Sequence, residues 1–215
     1  MTFRDAIQAP DLPELEPASL QGDGDLLVSG ALVEPTGEGV VRARRVRVRE
    51  SELRGVTLDV DNAPGLELTD AVLRDCGLSN VDAREGRLRR VQLRHCRMVG
   101  FSCVLGELQD VRLIDCSLEL GSLASARLRN VSFERVNLTE ASFMEARLEA
   151  VEFVDCRLAG ADFRGASVGA CAIRGASLDG VLGIDSLRGL RMPWTDALAS
   201  AGAMAAALGI VIGDE

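Results

Sequence analysis

The chain predicts an all-β solenoid whose backbone turns a corner every five residues, stacking four-sided coils of twenty. Three observations carry this. From Val41 to Gly180 every fifth residue is small at all but three places, the residue two places later is apolar, and the last place of each group favours turn formers. The phase runs without a slip through 28 consecutive pentapeptides, 140 residues divided by five.

All 28 central residues, from Ala43 to Leu178, are apolar, with Leu at 16 and Phe at four. Two places earlier, 25 of 28 are Ala, Val, Cys, Gly or Ser, as at Cys76, Gly86, Val91 and Cys96. An amphipathic helix repeats its apolar residues at spacings of three and four, and a strand alternates by two. A strict five over this length suits neither. It suits a side of a coil with two inward side chains, followed by a bend. Gly, Asn or Asp closes 14 of the 28 groups, among them Gly55, Asn80, Gly100, Asp115, Asn130 and Gly160. Those residues tolerate the positive φ that a type II turn requires at its third residue. Half the corners therefore carry explicit turn chemistry.

Units such as Ala161-Asp162-Phe163-Arg164-Gly165, Val136-Asn137-Leu138-Thr139-Glu140 and Ala141-Ser142-Phe143-Met144-Glu145 resemble the A(D/N)LXX repeat of the pentapeptide-repeat proteins. The resemblance covers about two-thirds of the chain, and it implies a right-handed quadrilateral β-helix. Seven coils (140 divided by 20) at the ~4.8 Å spacing of β-ladders make a rod of roughly 34 Å. Residues twenty apart then stack. Phe133 falls over Phe153, and Phe143 over Phe163 on the opposite side. Phe101 and Cys103 reverse the usual order of small and large, which reads as an exchange of volume within one layer. Asp61-Asn62-Ala63-Pro64-Gly65 turns an acid inward and predicts a distorted face.

The chain divides into residues 1–40, an acidic segment with an irregular first coil; 41–180, the repeat body; and 181–215, a linker with a C-terminal α-helix. An open solenoid exposes unpaired backbone and apolar layers at both ends, so each end needs cover. Pro193 to Leu208 reads as a helix, with Pro in its first turn and Gly209 as its stop. Its apolar face is Trp194, Ala197, Leu198, Ala201, Met204, Ala205 and Leu208. Two readings of that face compete: an intramolecular cap over the last coil, and a homodimer interface, as known for some relatives. Ile210-Val211-Ile212 reads as a short extended tail. At the other end Leu26, Val28, Ala31 and Val33 already sit in phase, before Pro35-Thr36-Gly37-Glu38-Gly39 interrupts. The acidic, Pro-containing stretch Asp11-Leu12-Pro13-Glu14-Leu15-Glu16 reads as a flap, a disordered segment or a docking motif.

Composition narrows the function classes. With 47% hydrophobic but 3% aromatic residues, no Tyr and one Trp, the core suits narrow repetitive layers. All 24 basic residues are Arg. The net charge of −9 belongs to the ends, because residues 1–40 carry −7, residues 181–215 carry −2, and the body balances 21 Arg with 21 acids. The N-terminus lacks the basic-then-apolar pattern of a secretory signal. No run approaches the ~18–20 apolar residues of a membrane span. Six Cys without an export signal read as thiols, and a cytoplasmic location is expected.

Several constellations resemble chemistry and read better as architecture. Cys76, Cys96 and Cys116 recur at intervals of twenty, with Cys156 on the same side, yet all occupy the inward small position as compact fillers. Gly165-Ala166-Ser167-Val168-Gly169 matches a nucleophile elbow, but that motif needs a strand-to-helix turn and a nearby base. His95, the one His, falls in an outward column with Asp75, Asp115, Arg135 and Asp155. This column reads as a charge ladder, like Arg47, Glu67, Arg87, Glu107 and Arg127. Gly22-Asp23-Gly24-Asp25 lacks the repeats of a calcium roll. No cofactor, metal or catalytic residue is assigned.

The expected function is that of a rigid, non-enzymatic protein-interaction module, its protein partner unknown. The resemblance adds an alternative, since some pentapeptide-repeat proteins bind DNA gyrase or topoisomerase IV by imitating duplex DNA and protect bacteria from quinolones. Mimicry needs a run of negative charge comparable with phosphates. Residues 41–100 carry +4 and residues 101–180 carry −4, so only the second half offers candidates: Glu119, Glu140, Glu145, Glu149, Glu152 and Asp155. Direct nucleic-acid binding through Arg42, Arg44, Arg45, Arg47 and Arg49 is not expected, because Glu50 and Glu52 follow and no aromatic platform accompanies them.

Overall fold

Strands in this chain follow from the paired inward positions, and their length follows from the corners between them. The computed structural model describes residues 6–18, 24–35, 39–59 and 64–213, with backbone alone at Gly24 and Arg44. Among the described residues twelve strands form one parallel system: β1 (Glu16–Ala18), β2 (Gly24–Ser29), β3 (Ala31–Val33), β4 (Val40–Arg54), β5 (Thr57–Asp59), β6 (Glu67–Arg74), β7 (Arg87–Arg94), β8 (Glu107–Ile114), β9 (Arg127–Glu134), β10 (Arg147–Val154), β11 (Ser167–Gly169) and β12 (Ala172–Arg174). From β6 to β10 each residue pairs with the one twenty later, as in Leu68↔Leu88 and Leu113↔Phe133. The result is a parallel β-solenoid of about seven turns.

Each coil has four sides, named here by their central residues in one turn: a first face at Leu68, a second at Leu73, a third at Leu78 and a fourth at Ala83. The long strands bend from the first face into the second without interruption. Third and fourth faces meet their neighbours through single parallel bridges, such as Gly77↔Arg97 and Asp82↔Ser102. The corners explain the difference. At the ends of the third and fourth faces the chain closes a hydrogen-bonded turn, for example Phe101 N–H to Met98 O at 3.0 Å and Gly106 N–H to Cys103 O at 3.1 Å. Such turns shorten the extended run.

Every fifth residue from Gly65 to Gly180 has positive φ. From Gly65 onward the expected left-handed corner is thus present at every group, and it holds residues without turn chemistry as well, including Leu105 at φ 60° and Leu120 at φ 57°. A left-handed backbone costs most L-residues about 1–2 kcal/mol. Burial of two inward side chains on every face outweighs that cost.

The core is a single column. Phe133 and Phe153 stack with centroids 5.1 Å apart, Phe143 and Phe163 at 4.8 Å, and the two stacks meet edge to face. At the reversed pair, Phe101 and Cys103 are both buried, and a Cβ on Gly106 would lie 2.3 Å from Cys103 Sγ. The glycine makes room for the sulfur, as the exchange of volume requires.

Two expectations need correction. The repeat does not begin cleanly at Val41, for Arg45 forms no corner and β4 runs extended from Val40. Val40–Arg42 pair with Thr57–Asp59, an offset of seventeen, whereas the offset of twenty holds from Asp25↔Arg45 onward. Leu26, Val28, Ala31 and Val33 are in phase and buried. The helix over Pro193–Leu208 is broken at Ser200 into α1 (Trp194–Ala199) and α2 (Ala201–Ala207). The inward acid at Asp61 and the interruption at Thr36-Gly37-Glu38 lie outside the described residues.

The last coil is capped, with Met204 of the predicted apolar face and with groups outside that face. Leu187, Ile184, Leu190, Met192, Ala203 and Met204 lie on the end of the core. Side chains satisfy the open backbone edge: Gly165 N–H donates to Ser186 Oγ (3.0 Å), Gly175 N–H to Asp196 Oδ2 (2.6 Å) and Leu178 N–H to the buried Ser200 Oγ (3.1 Å). Ser200 breaks the helix and supplies one of these bonds.

Candidate interaction surfaces

With the interior filled, the rod offers its faces, its corners and its ends. The thiols belong to the interior. Cys76, Cys96 and Cys116 are stacked and buried, and each donates to main-chain carbonyls, Cys96 Sγ to Arg94 O at 3.3 Å and Leu73 O at 3.6 Å. Neighbouring thiols and burial raise the Cys96 pKa, and burial pushes Cys103 up to about 12 and Cys156 up to about 11. Inward sulfurs held protonated, as at Cys96, Cys103 and Cys156, are poor ligands. Among the described residues no group of three His, Cys, Asp or Glu is placed to hold a metal ion. Ser167 opens a ladder strand opposite Arg147 rather than a strand-to-helix turn. No described helix is long and apolar enough to cross a membrane.

The outward columns are ion ladders. Arg47 pairs with Glu67 at 2.6 Å, and Glu107 lies between Arg87 and Arg127 at 3.9 and 3.7 Å. In the His95 column Arg135 grips Asp115 through two bonds of 2.6 and 2.8 Å, which holds the Asp115 carboxyl below its ordinary range. A shallow groove of about 560 Å³ runs beside this column, lined by His95, Asp115, Arg135, Asp155, Arg97 and Arg157 among others. The basic stretch is neutralised likewise: Arg42 meets Asp59, Arg45 meets Asp25, and Arg47 and Arg49 share Glu67. Arg44's side chain lies outside the described residues.

The six candidate acids do not share a face. Glu149 is on the first face and pairs with Arg129 at 3.9 Å, Glu119 is on the third, and Glu140, Glu145 and Asp155 occupy three different corner columns. Glu152 is fully buried on the second face and is bound by Arg174, so it is not available to a partner. Twenty-residue stacking scatters acids that are close in sequence around the rod.

The residues of the C-terminal apolar face divide between core and solvent. Met204 lies against the core and Ala197 and Ala205 are half-buried, but Trp194 (79% exposed), Leu198, Ala201 and Leu208 face solvent. Ile210, Val211 (92% exposed) and Ile212 join no strand and are exposed as well. Of the twelve large exposed apolar side chains among the described residues, six lie between Trp194 and Ile212.

Sequence reasoning left the N-terminal segment open, and the structure places residues 6–18 as a strap along the second face. Gln8 N–H donates to Asp110 Oδ1 (3.4 Å), Asp11 N–H to Asp70 Oδ1 (3.1 Å), and Arg112 Nη2 to Ile7 O (3.5 Å). Three residues of extended chain at about 3.3 Å each span about 10 Å, the rise of two coils. The strap therefore runs along the rod axis and crosses the strands, until Glu16–Ala18 enter the ladder beside Ala31–Val33. Its inward residues are Ile7, buried, and Pro10, Leu12 and Leu15, half-buried. Below it Arg90 binds Asp70 with Nε–Oδ1 at 2.5 Å and depresses that carboxyl's pKa.

Residues 86–163 and 106–181 match the family model described as pentapeptide repeat region. Together with the five-residue corners and twenty-residue ladders, this makes residues 86–181 a pentapeptide repeat region. No curated protein gives a match. Among solved structures it is similar to a trypsin-treated variant of QnrB1, a plasmid-mediated fluoroquinolone resistance protein, with 13% identity, 89% of this chain and 100% of that chain covered, and a TM-score of 0.38. It is also similar to HetL, a pentapeptide repeat protein involved in heterocyst differentiation regulation from the cyanobacterium Nostoc sp. strain PCC 7120, with 21% identity, coverage of 89% and 94%, and a TM-score of 0.29. At these identities neither similarity bears on what this chain binds.

Proposed function

We propose that the chain is a non-enzymatic, rigid protein-interaction module that works as a homodimer joined through its C-terminal end. The observation that carries this is the pairing of a completed cap with an uncovered apolar patch. Ser186, Asp196 and Ser200 already close the last coil, yet Trp194, Leu198, Leu208 and Ile210–Ile212 remain in solvent. Apolar groups concentrated in this way mark an association surface. Rigid faces reduce the ordering cost of binding a partner. The scatter of the six acids over different faces and corners, with Glu149 and Glu152 held by arginines, supports this reading over mimicry of duplex DNA toward gyrase or topoisomerase IV.

Sedimentation equilibrium tests the dimer. Wild-type protein is expected to sediment as a dimer at micromolar concentration and Leu198→Asp as a folded monomer. A monomeric wild type, or an unchanged dimer in the variant, would eliminate this interface.

A further inference from the structure

The second face differs from the first in the burial of its outward residues. On the first face the outward residues from Arg87 to Glu149 are exposed, whereas on the second Glu52, Val72, Ile114, Ser132, Glu134 and Glu152 are buried. Two of these, Val72 and Ile114, are apolar residues at positions that otherwise face water. At the adjoining corner, Asp70 and Asp110 are 5% and 3% exposed and aim carboxylate oxygens at main-chain N–H groups of the strap. Arg74, Arg94 and Arg112 follow one another up the face, and Arg94 Nε is buried with no hydrogen-bond partner. The strap above them carries Asp11, Glu14 and Glu16 and no base among residues 6–18.

The strap is lightly held for a segment that covers so much charge. Crossing the strands, it adds no ladder between Ile7 and Leu15, and among the described residues it is anchored there by three hydrogen bonds and the buried Ile7 side chain. Those bonds use the strap's N–H groups at two positions three apart and one carbonyl, all main-chain atoms. Pro10 and Pro13 fall where no N–H is used, and they favour the extended form. Any extended chain with an apolar residue, free N–H groups one and four places on, and acids beyond would satisfy the same surface.

We propose that the second face from Asp70 to Arg112 is a docking groove for an extended, acidic, proline-containing segment of a partner protein, and that residues 6–16 fill it in the isolated chain as a displaceable internal mimic. This surface is separate from the C-terminal patch, so it stands or falls independently of the dimer. A tethered strap competes at an effective concentration on the order of millimolar, so an external peptide binds only when its fit is better or the strap is weakened.

The test uses full-length protein and a fluorescent peptide of residues 6–17. In Ile7→Ser/Asp11→Pro the strap loses its buried anchor and one N–H donor while the groove is untouched. Fluorescence anisotropy is expected to show the peptide binding this variant at least about tenfold more tightly than wild type. Adding Asp110→Ala should abolish the gain, and a scrambled peptide should not bind. Equal, absent or order-independent binding, with a circular dichroism melt matching wild type, would make the strap a fixed cover and overturn the proposal. Loss of a wild-type dimer in Ile7→Ser/Asp11→Pro would reassign the groove to strap exchange between copies. Should that variant fail to fold, hydrogen exchange on wild type decides: amides of Gln8 and Asp11 must exchange faster than those of β7 and β8, and exchange only through global unfolding refutes displacement.

Discussion

Leu120 illustrates how a repeat can overrule a residue's own preference. Its corner column reads Asn80, Gly100, Leu120, Glu140 and Gly160, all at positive φ, and the leucine side chain gains little there because it is exposed. Replacing it with Asn, which tolerates the left-handed region, should raise stability by about 0.5–1 kcal/mol, and Leu120→Val should lower it by a similar amount or more. Urea denaturation midpoints check both. Asp70 gives a second prediction. Its hydrogen bond from Arg90 lowers its pKa from the ordinary 3.8, against the opposing effect of burial. A depressed carboxylate stabilises the fold above its unfolded pKa, and that stability disappears as pH falls through the folded value. Melting temperature should therefore drop below about pH 4, and the drop should be shallower in Asp70→Asn. Column membership could be read from spacing alone at such sites. That Asp70 and Asp110 would receive the strap's N–H groups could not, because nothing in the repeat specifies what lies outside it.

The C-terminal segment shows where pattern reading loses its grip. Periodicity over Pro193–Leu208 indicates an apolar helical face, and a helical pair is present. The bonds that close the solenoid come instead from Ser186, Asp196 and Ser200, polar residues whose role depends on the position of the last coil's free N–H groups. Ser200→Ala would leave the Leu178 N–H buried without an acceptor and should cost about 1–3 kcal/mol. Thermal unfolding followed by circular dichroism measures this, and Ser200→Thr, which keeps the hydroxyl, should recover part of the loss. At the opposite end the pentapeptide phase continues through Val41–Arg45, whereas β4 ignores the corner at Arg45 and pairs with an offset of seventeen. An apolar residue in phase is compatible with a corner, but cannot enforce one where the neighbouring coil is irregular.

For the intact rod, charge distribution decides between its possible partners. Acids and arginines alternate along the columns, and the acids of the second half point in several directions. Purified protein should therefore leave gyrase supercoiling unchanged, and potent inhibition at low micromolar concentration would restore the duplex-mimic reading. The five-residue phase by itself determined the solenoid, its twenty-residue stacking, the phenylalanine columns and the inward place of the thiols, because each of these repeats a local rule. Only the tertiary structure decided which acids share a surface, which apolar residues at the end remain uncovered, and where the N-terminal strap lies. Those depend on groups from distant coils and from non-repeating ends meeting in space, and no local periodicity encodes such meetings.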